Sequence, residues 1–303
     1  TDLCVGTVAS GSCVISLASN GLRTLTATYA GDSNFNGSVS TGASHTVDAI
    51  PPTTTLDITP PDPDNDSTPT FQFSGADTGG SGGVAGFLCR VDAGPYVICA
   101  SPFTVSPALS DGSHTFYVGA EDNVGNLDGS PATYTWTVDS TAPTTTITND
   151  PFPTGFTNTT SATFTFTGND AAGVGGLTFE CDLDGGGFSA CSSGINYPGP
   201  LGEGNHIFSV RAKDSLSNVD ASPDTYIWTV DTTAPNTTIN SNPSNPTNST
   251  SASFTFSGND GSGSGVASFE CDLDGGGFSA CSSPQNYPGP LTAGSHTFQV
   301  RAI

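Results

Sequence analysis

The stretch Phe179-Glu-Cys-Asp-Leu-Asp-Gly-Gly-Gly-Phe-Ser-Ala-Cys191 decides the fold, because the same residues stand again from Phe269 to Cys281. A diverged copy, Phe87-Leu-Cys-Arg-Val-Asp-Ala-Gly-Pro-Tyr-Val-Ile-Cys99, precedes both. Cys89 to Cys181 is 92 residues and Cys181 to Cys271 is 90, and His114, His206 and His296 keep the same two steps. Trp136 and Trp228 are 92 apart, as are the Thr-Ala-Pro motifs ending at Pro143 and Pro235. The period is therefore about 91 residues, the size of a small domain and far longer than one coil of a solenoid.

Within a copy, apolar and polar residues alternate with period 2, the pattern of a strand with one buried face. Ala162, Phe164 and Phe166 share one face; Phe179, Cys181 and Leu183 share a second, with Glu180, Asp182 and Asp184 pointing out. Phe208, Val210 and Ala212 make a third face, and Tyr226, Trp228 and Val230 a fourth. Gly185-Gly-Gly187 reads as a hairpin loop that permits positive φ. Short strands separated by turn signals predict an all-β fold of antiparallel β-sandwiches, one per repeat.

This register divides the chain into residues 1–48, 49–140, 141–232 and 233–303. The first segment reads as the closing strands of a different repeat type, and the next two as full sandwiches. The last stops at Arg301-Ala302-Ile303, where its predecessor continues to Asp231, so it is expected to lack its final strand and the Trp that strand carries. The chain thus reads as a window from a longer array. Pro143, Pro235 and Ile50-Pro-Pro-Thr-Thr-Thr55 make short, stiff joints, which predict domains aligned end to end.

Composition narrows the function classes. The chain carries 28 acidic against 5 basic residues, a net charge of −23, which repels phosphate backbones and excludes a nucleic-acid partner. Its apolar runs are only a few residues long, too short for a membrane span or a signal-peptide core. Thr, Ser, Val and Phe abound while the strong helix formers are sparse, which favours strands.

Several of these segments carry a resemblance. Besides the quoted hairpin, Gly294-Ser-His-Thr-Phe-Gln-Val-Arg-Ala302, Thr225-Tyr-Ile-Trp-Thr-Val-Asp231 and the Thr-Ala-Pro-x-Thr-Thr-Ile joints are similar to bacterial immunoglobulin-like repeat domains of large cell-surface and secreted proteins. Leu25-Thr-Ala-Thr-Tyr-Ala-Gly-Asp-Ser-Asn-Phe35 resembles a second bacterial immunoglobulin-like repeat type. The resemblance implies an Ig-like sandwich, an extracellular or cell-surface place, and a stalk, adhesive or filament-forming role.

Eight cysteines fall into the pairs Cys4/Cys13, Cys89/Cys99, Cys181/Cys191 and Cys271/Cys281, one pair per repeat. Structural zinc needs four clustered ligands, commonly from CxxC pairs, and the sequence has none. The pairing that fits is a disulfide across each hairpin, both cysteines standing on strands that flank the turn. Disulfides in every repeat place the protein outside the cytoplasm.

No catalytic constellation stands out. His114, His206 and His296 each sit at a strand start with no fixed Ser or Cys beside them, which suits a hydrogen-bonded structural role. Gly79-Gly-Ser81-Gly-Gly83 matches a nucleophile elbow in letters alone, without the helix that motif requires. Trp136 and Trp228 alternate with Tyr and Val and are expected in the core. The Asn-x-Ser/Thr matches at Asn36, Asn65, Asn158, Asn236 and Asn248 are as many as this composition produces by chance.

Acidic clusters offer a possible cofactor, Ca²⁺. Asp62-Pro-Asp64-Asn-Asp66 lies at the entry to the first full repeat, Asp139 and Asp231 close their repeats, and Asp77, Asp170 and Asp260 stand in Gly-rich loops. Flexible, oxygen-rich sites suit calcium, yet none completes an EF-hand loop. The plainer reading is a solvated acidic face that keeps an extracellular array soluble.

The expected function is a non-catalytic structural or adhesive array: a segment of a surface stalk, adhesin or extracellular filament. The alternative is an accessory spacer or binding region of a larger secreted enzyme. Expected partners are neighbouring repeats or other copies of the chain, joined through exposed strand edges, or a surface glycan or protein ligand.

Overall fold

The computed structural model describes all residues except 1–2, 8–10, 18, 80–81 and 172, and the described residues form strands, turns and irregular segments without any helix. The chain divides into two compact units: Thr1–Ala142 with Asp170–Gly176 and Asp214–Asn218, and Pro143–Asn169 with Leu177–Lys213 and Val219–Ile303.

The first unit opens with two short antiparallel pairs, Gly21–Leu25 with Ala43–Val47 and Thr28–Tyr29 with Ser38–Val39. A sandwich follows. One sheet has the order Ala132–Val138, Gly112–Asp122, Val84–Val91, Val97–Cys99, and the other Thr53–Ile58, Thr70–Ala76, Phe103–Thr104. Both sheets send side chains into one core of Phe71, Phe73, Cys89, Val105, Phe116, Val118, Trp136 and Val138. Phe71 stacks on Phe116 at 4.2 Å between ring centroids and meets Trp136 edge-on at 5.2 Å. Burying one such Phe side chain is worth about 1.5–3 kcal/mol, so each ring of this aromatic cluster contributes substantially to the repeat's stability.

The second unit repeats the plan. Its large sheet runs Phe156–Thr157, Asp224–Val230, Gly204–Lys213, Thr178–Leu183, Ser189–Cys191, and the pairs Thr144–Ile147 with Phe166–Asn169 and Ala162–Phe164 with Ile195–Tyr197 complete the sandwich. Ala162, Phe164, Phe166, Cys181, Phe208, Val210, Trp228 and Val230 are buried together, as their alternation predicts. Phe179, Leu183 and Tyr226 pack against that core from a half-buried position. One feature departs from a purely antiparallel sandwich: Phe156–Thr157 joins Asp224–Val230 in parallel register. Thr229 N–H donates to the Gly155 carbonyl and Asp231 N–H to that of Thr157, so the short segment closes an otherwise open edge.

The last repeat in this unit has the sheets Asn236–Ser241, Ala252–Asn259, Gln285–Tyr287 and Ser279–Cys281, Phe269–Leu273, Phe298–Ala302. Phe254 and Phe298 stack at 4.0 Å. They are only half-buried, whereas the corresponding Phe164 and Phe208 are fully buried under Trp228. The Trp strand is thus what seals the core. Among the described residues the architecture is all-β, a series of Ig-like sandwiches.

Candidate functional site

The two identical hairpins are each held by three devices, and the diverged hairpin, with Arg90 in place of the capping Asp, shares the last two. Asp184 takes φ 56° and Gly185 φ 75°, so the turn residues occupy the left-handed region that Gly adopts freely and Asp tolerates. Gly187 N–H then donates to Asp182 Oδ1 at 3.0 Å, and the third repeat copies this with Gly277 and Asp272. Asp272 is buried at 7% exposure although its alternation points it outward, whereas Asp182, which makes the same cap, is half-buried.

A disulfide is the second device. Cys89–Cys99, Cys181–Cys191 and Cys271–Cys281 are bonded with Cα atoms 5.8 Å apart, within the range a disulfide spans. The register places Cys181 opposite Ser189 and Cys191 opposite Phe179, so the bond runs diagonally across the ladder. Cys4 and Cys13 are also bonded, but neither stands on a strand, contrary to the expectation drawn from the other pairs.

The third device is a carboxylate–imidazole clasp. His114, His206 and His296 present Nδ1 to Oδ2 of Asp92, Asp184 and Asp274 at 2.8, 2.8 and 2.6 Å. Their Nε2 atoms face the carbonyls of Ser110, Gly202 and Thr292 at 2.7, 2.9 and 2.8 Å. The other oxygen of each Asp accepts a backbone N–H, from Thr115, Ile207 and Thr297. Both ring nitrogens therefore meet acceptors, the arrangement of a clasp and not of a base awaiting a hydroxyl or thiol.

Trp136 and Trp228 lie in the core at 0% and 1% exposure, as expected, with each indole N–H buried and lacking a hydrogen-bond partner. Ser81 of the nucleophile-elbow match lies outside the described residues.

Carboxylates gather in places that only partly coincide with the expected ones. Asp62 Oδ1 accepts Thr137 N–H at 2.9 Å, Asp64 Oδ1 accepts Asp66 N–H at 3.1 Å while its main chain forms a parallel bridge with Val138, and Asp66 Oδ1 accepts the N–H and hydroxyl of Thr68. These three are occupied with fastening the entry segment. The groups of acids whose ligand atoms lie within 4.8 Å of one another, among the described residues, are Asp48, Asp77, Asp122 and Asp139, Asp170, Asp214. Asp139 is thus brought together with Asp170, a loop residue already singled out by its Gly-rich surroundings, and with Asp214, which was not. Asp231 Oδ2 accepts Ser264 N–H at 2.7 Å beside Asp260, whose Oδ2 accepts Gly265 N–H at 2.8 Å.

Asp122 and Asp214 carried a signal in the sequence. Asp122-Asn-Val-Gly-Asn126 and Asp214-Ser-Leu-Ser-Asn218 stand 92 residues apart and share Asp and Asn at the same separation. Asp214 Oδ1 accepts the N–H groups of Leu216 and Asn218 at 2.9 and 2.8 Å. The Asn218 amide donates to both Asp214 Oδ2 and the Asp139 carbonyl, at 2.7 and 2.9 Å. Asp122 and Asn126 repeat this toward the carbonyl of Asp48.

No protein-family model matches the sequence, and no curated protein does. Solved structures similar to the chain include fibronectin(III)-like modules of CbhA from Clostridium thermocellum, at 18% identity, TM-score 0.33, covering 59% of this chain and 94% of that one. A tetra-tandem repeat from the extending region of a large adhesion protein aligns at 18% identity and TM-score 0.31 over 93% of this chain and 78% of that one. Part of a 1.5-MDa bacterial ice-binding adhesin aligns at 16% identity and TM-score 0.33 over 77% and 84%.

Proposed function

We propose that the chain is a stretch of extracellular structural and adhesive array, a segment of a surface stalk, adhesin or filament, and that its repeats do no catalysis. The observation that carries this reading is the same fastening set in three successive repeats. In each, a disulfide and an Asp–His clasp lock one hairpin. The side chains with most chemical potential, thiol and imidazole, are thereby consumed in holding strands together. Disulfides in every repeat support an oxidising, extracellular setting, and the −23 net charge supports solubility in an extended array. Neighbouring repeats, further copies of the chain, or a surface glycan or protein ligand would be its partners.

The test is immunogold labelling of intact, unpermeabilised cells, followed by electron microscopy of material sheared from their surface. Label on the outside, with projecting stalks or filaments, is the expected result. Label confined to the cytoplasm, with titratable free thiols, would overturn the reading.

A further inference from the structure

We propose that Asp139, Asp170 and Asp214 bind a calcium ion. Asp139 follows the strand Ala132–Val138, Asp170 follows Phe166–Asn169, and Asp214 follows Gly204–Lys213, so the three converge from distant parts of the sequence. All three belong to the first compact unit, and their ligand oxygens lie within 4.8 Å of one another.

What sets this group apart from a solvated acidic patch is buried oxygen without a partner. Asp139 is 0% exposed; its Oδ2 receives the Val174 N–H at 3.2 Å, while its Oδ1 is buried and accepts nothing. Both carboxylate oxygens of Asp170 are likewise buried and unpartnered. Asp214, at 4% exposure, is held in place by Leu216 and Asn218. Among the described residues none of the ion pairs includes any of the three. A buried carboxylate left without hydrogen bond or cation is costly enough that it either takes a proton or is paired.

A cation resolves all of these at once. The donor set is wholly oxygen, with neither thiolate nor imidazole, which selects a hard cation. The donors come from loops and strand ends, and Ca²⁺ accepts such irregular, flexible coordination, whereas Mg²⁺ demands a near-ideal octahedron. The pattern is also periodic. Asp48, Asp77 and Asp122 stand 91, 93 and 92 residues earlier and form the other such group. In the second unit Asp231 and Asp260 continue it, with Asp260 Oδ1 again buried and unpartnered. There Gly263 leaves the space these carboxylates need, since a Cβ on it would stand 2.5 and 2.6 Å from Asp260 Oδ2 and Asp231 Oδ2.

The test is isothermal titration of CaCl₂, with MgCl₂ as control, into the chelator-treated full chain, paired with thermal melting. Calcium should bind saturably with a dissociation constant on the order of 0.1–1 mM, as in extracellular calcium modules, and should raise the melting temperature. Asp170→Asn is the informative variant, because the Asp170 oxygens make no hydrogen bond that the change would break. It should lose one equivalent of calcium, and the melting temperatures should cross: above wild type in chelator, where like charges are relieved, and below it in calcium. Asp139→Asn should lose the same equivalent. The proposal is overturned by absence of saturable heat up to about 10 mM calcium, by unchanged stoichiometry in Asp170→Asn, or by an equal response to magnesium.

Discussion

Asp184 grips His206 and its strand together: Oδ2 lies 2.8 Å from the imidazole Nδ1, while Oδ1 accepts the N–H of Ile207 at 2.9 Å. The second ring nitrogen faces the Gly202 carbonyl at 2.9 Å. A neutral imidazole has one N–H and cannot serve two acceptors, so the geometry favours the imidazolium.

That preference fixes a pH dependence. Burial pulls the His206 pKa down, but the Gly202 carbonyl and the Asp184 carboxylate outweigh it and hold it above the ordinary value. His114 is raised in the same balance by Asp92 and Ser110, and His296 chiefly by its hydrogen bond to Asp274. A raised folded pKa gives stability that is fully present below the unfolded value, about 6.5, and is lost as pH rises through the folded one. The melting temperature should therefore fall as pH rises from about 6.5 through the raised folded values. His206→Gln should flatten that slope, and a wild-type curve that is level or rises over this window would sink the assignment. The acid side has its own limb: the hydrogen bond from His296 holds Asp274 below the usual carboxylate range, so its contribution is lost as pH falls through that lowered value.

The hairpin disulfides should matter in proportion to the small loops they close. For the 10-residue separation of Cys181 and Cys191, chain entropy gives about 2.5 kcal/mol. The double variant Cys181→Ala/Cys191→Ala should lose about that much in denaturant unfolding, and full reduction of the wild type should lower its melting temperature. Unchanged stability after complete reduction would show that these bonds are not closed in the native protein.

How much of this was legible in the sequence depends on the range of the contacts. The buried faces Ala162/Phe164/Phe166 and Phe208/Val210/Ala212 follow from alternation alone, because a strand's two faces are set by its neighbours one and two residues away. The pairing of the three hairpin disulfides was legible from the cysteine spacing of 10 across a turn. The clasp was not. Asp184 was assigned to the outer face, and only its positive φ turns the carboxylate onto a histidine 22 residues away. Asp214 was missed because its partners, Asp139 and Asp170, are brought to it by folding and not by local spacing. Comparison of the repeats at their own period would have exposed it, since Asp122 and Asp214 keep the common step.

Trp228 tests the role of the strand that seals the core. It is 1% exposed, with its ring 5.3 Å from Phe164 and 5.4 Å from His206. Trp228→Ala should cost about 3–5 kcal/mol as a large-to-small core change. Trp228→Phe should cost distinctly less than that, because it also removes an indole N–H that is buried without a partner. Equal losses for the two variants, measured by chemical denaturation, would mean that the N–H is satisfied in the native protein.

Gly187 and Gly199 separate two reasons for a glycine. Both have positive φ, 99° and 78°, so any other residue is strained at either position. A Cβ on Gly187 would meet open space, whereas one on Gly199 would stand 2.1 Å from the Thr160 carbonyl oxygen. That approach is forced, because Leu201 N–H donates to the same carbonyl at 2.8 Å and draws the two segments together. Gly187→Ala should therefore cost only the backbone strain, about 1–2 kcal/mol. Gly199→Ala adds a clash with main chain that no rotamer can relieve, and should cost about 3 kcal/mol or more. Gly289 stands in the same relation to Thr250, at 2.3 Å, with Leu291 N–H on that carbonyl, so Gly289→Ala should match Gly199→Ala and not Gly187→Ala. Denaturant midpoints that rank Gly187→Ala as the most damaging of the three would show that the loop conformation, and not the close approach, governs these positions.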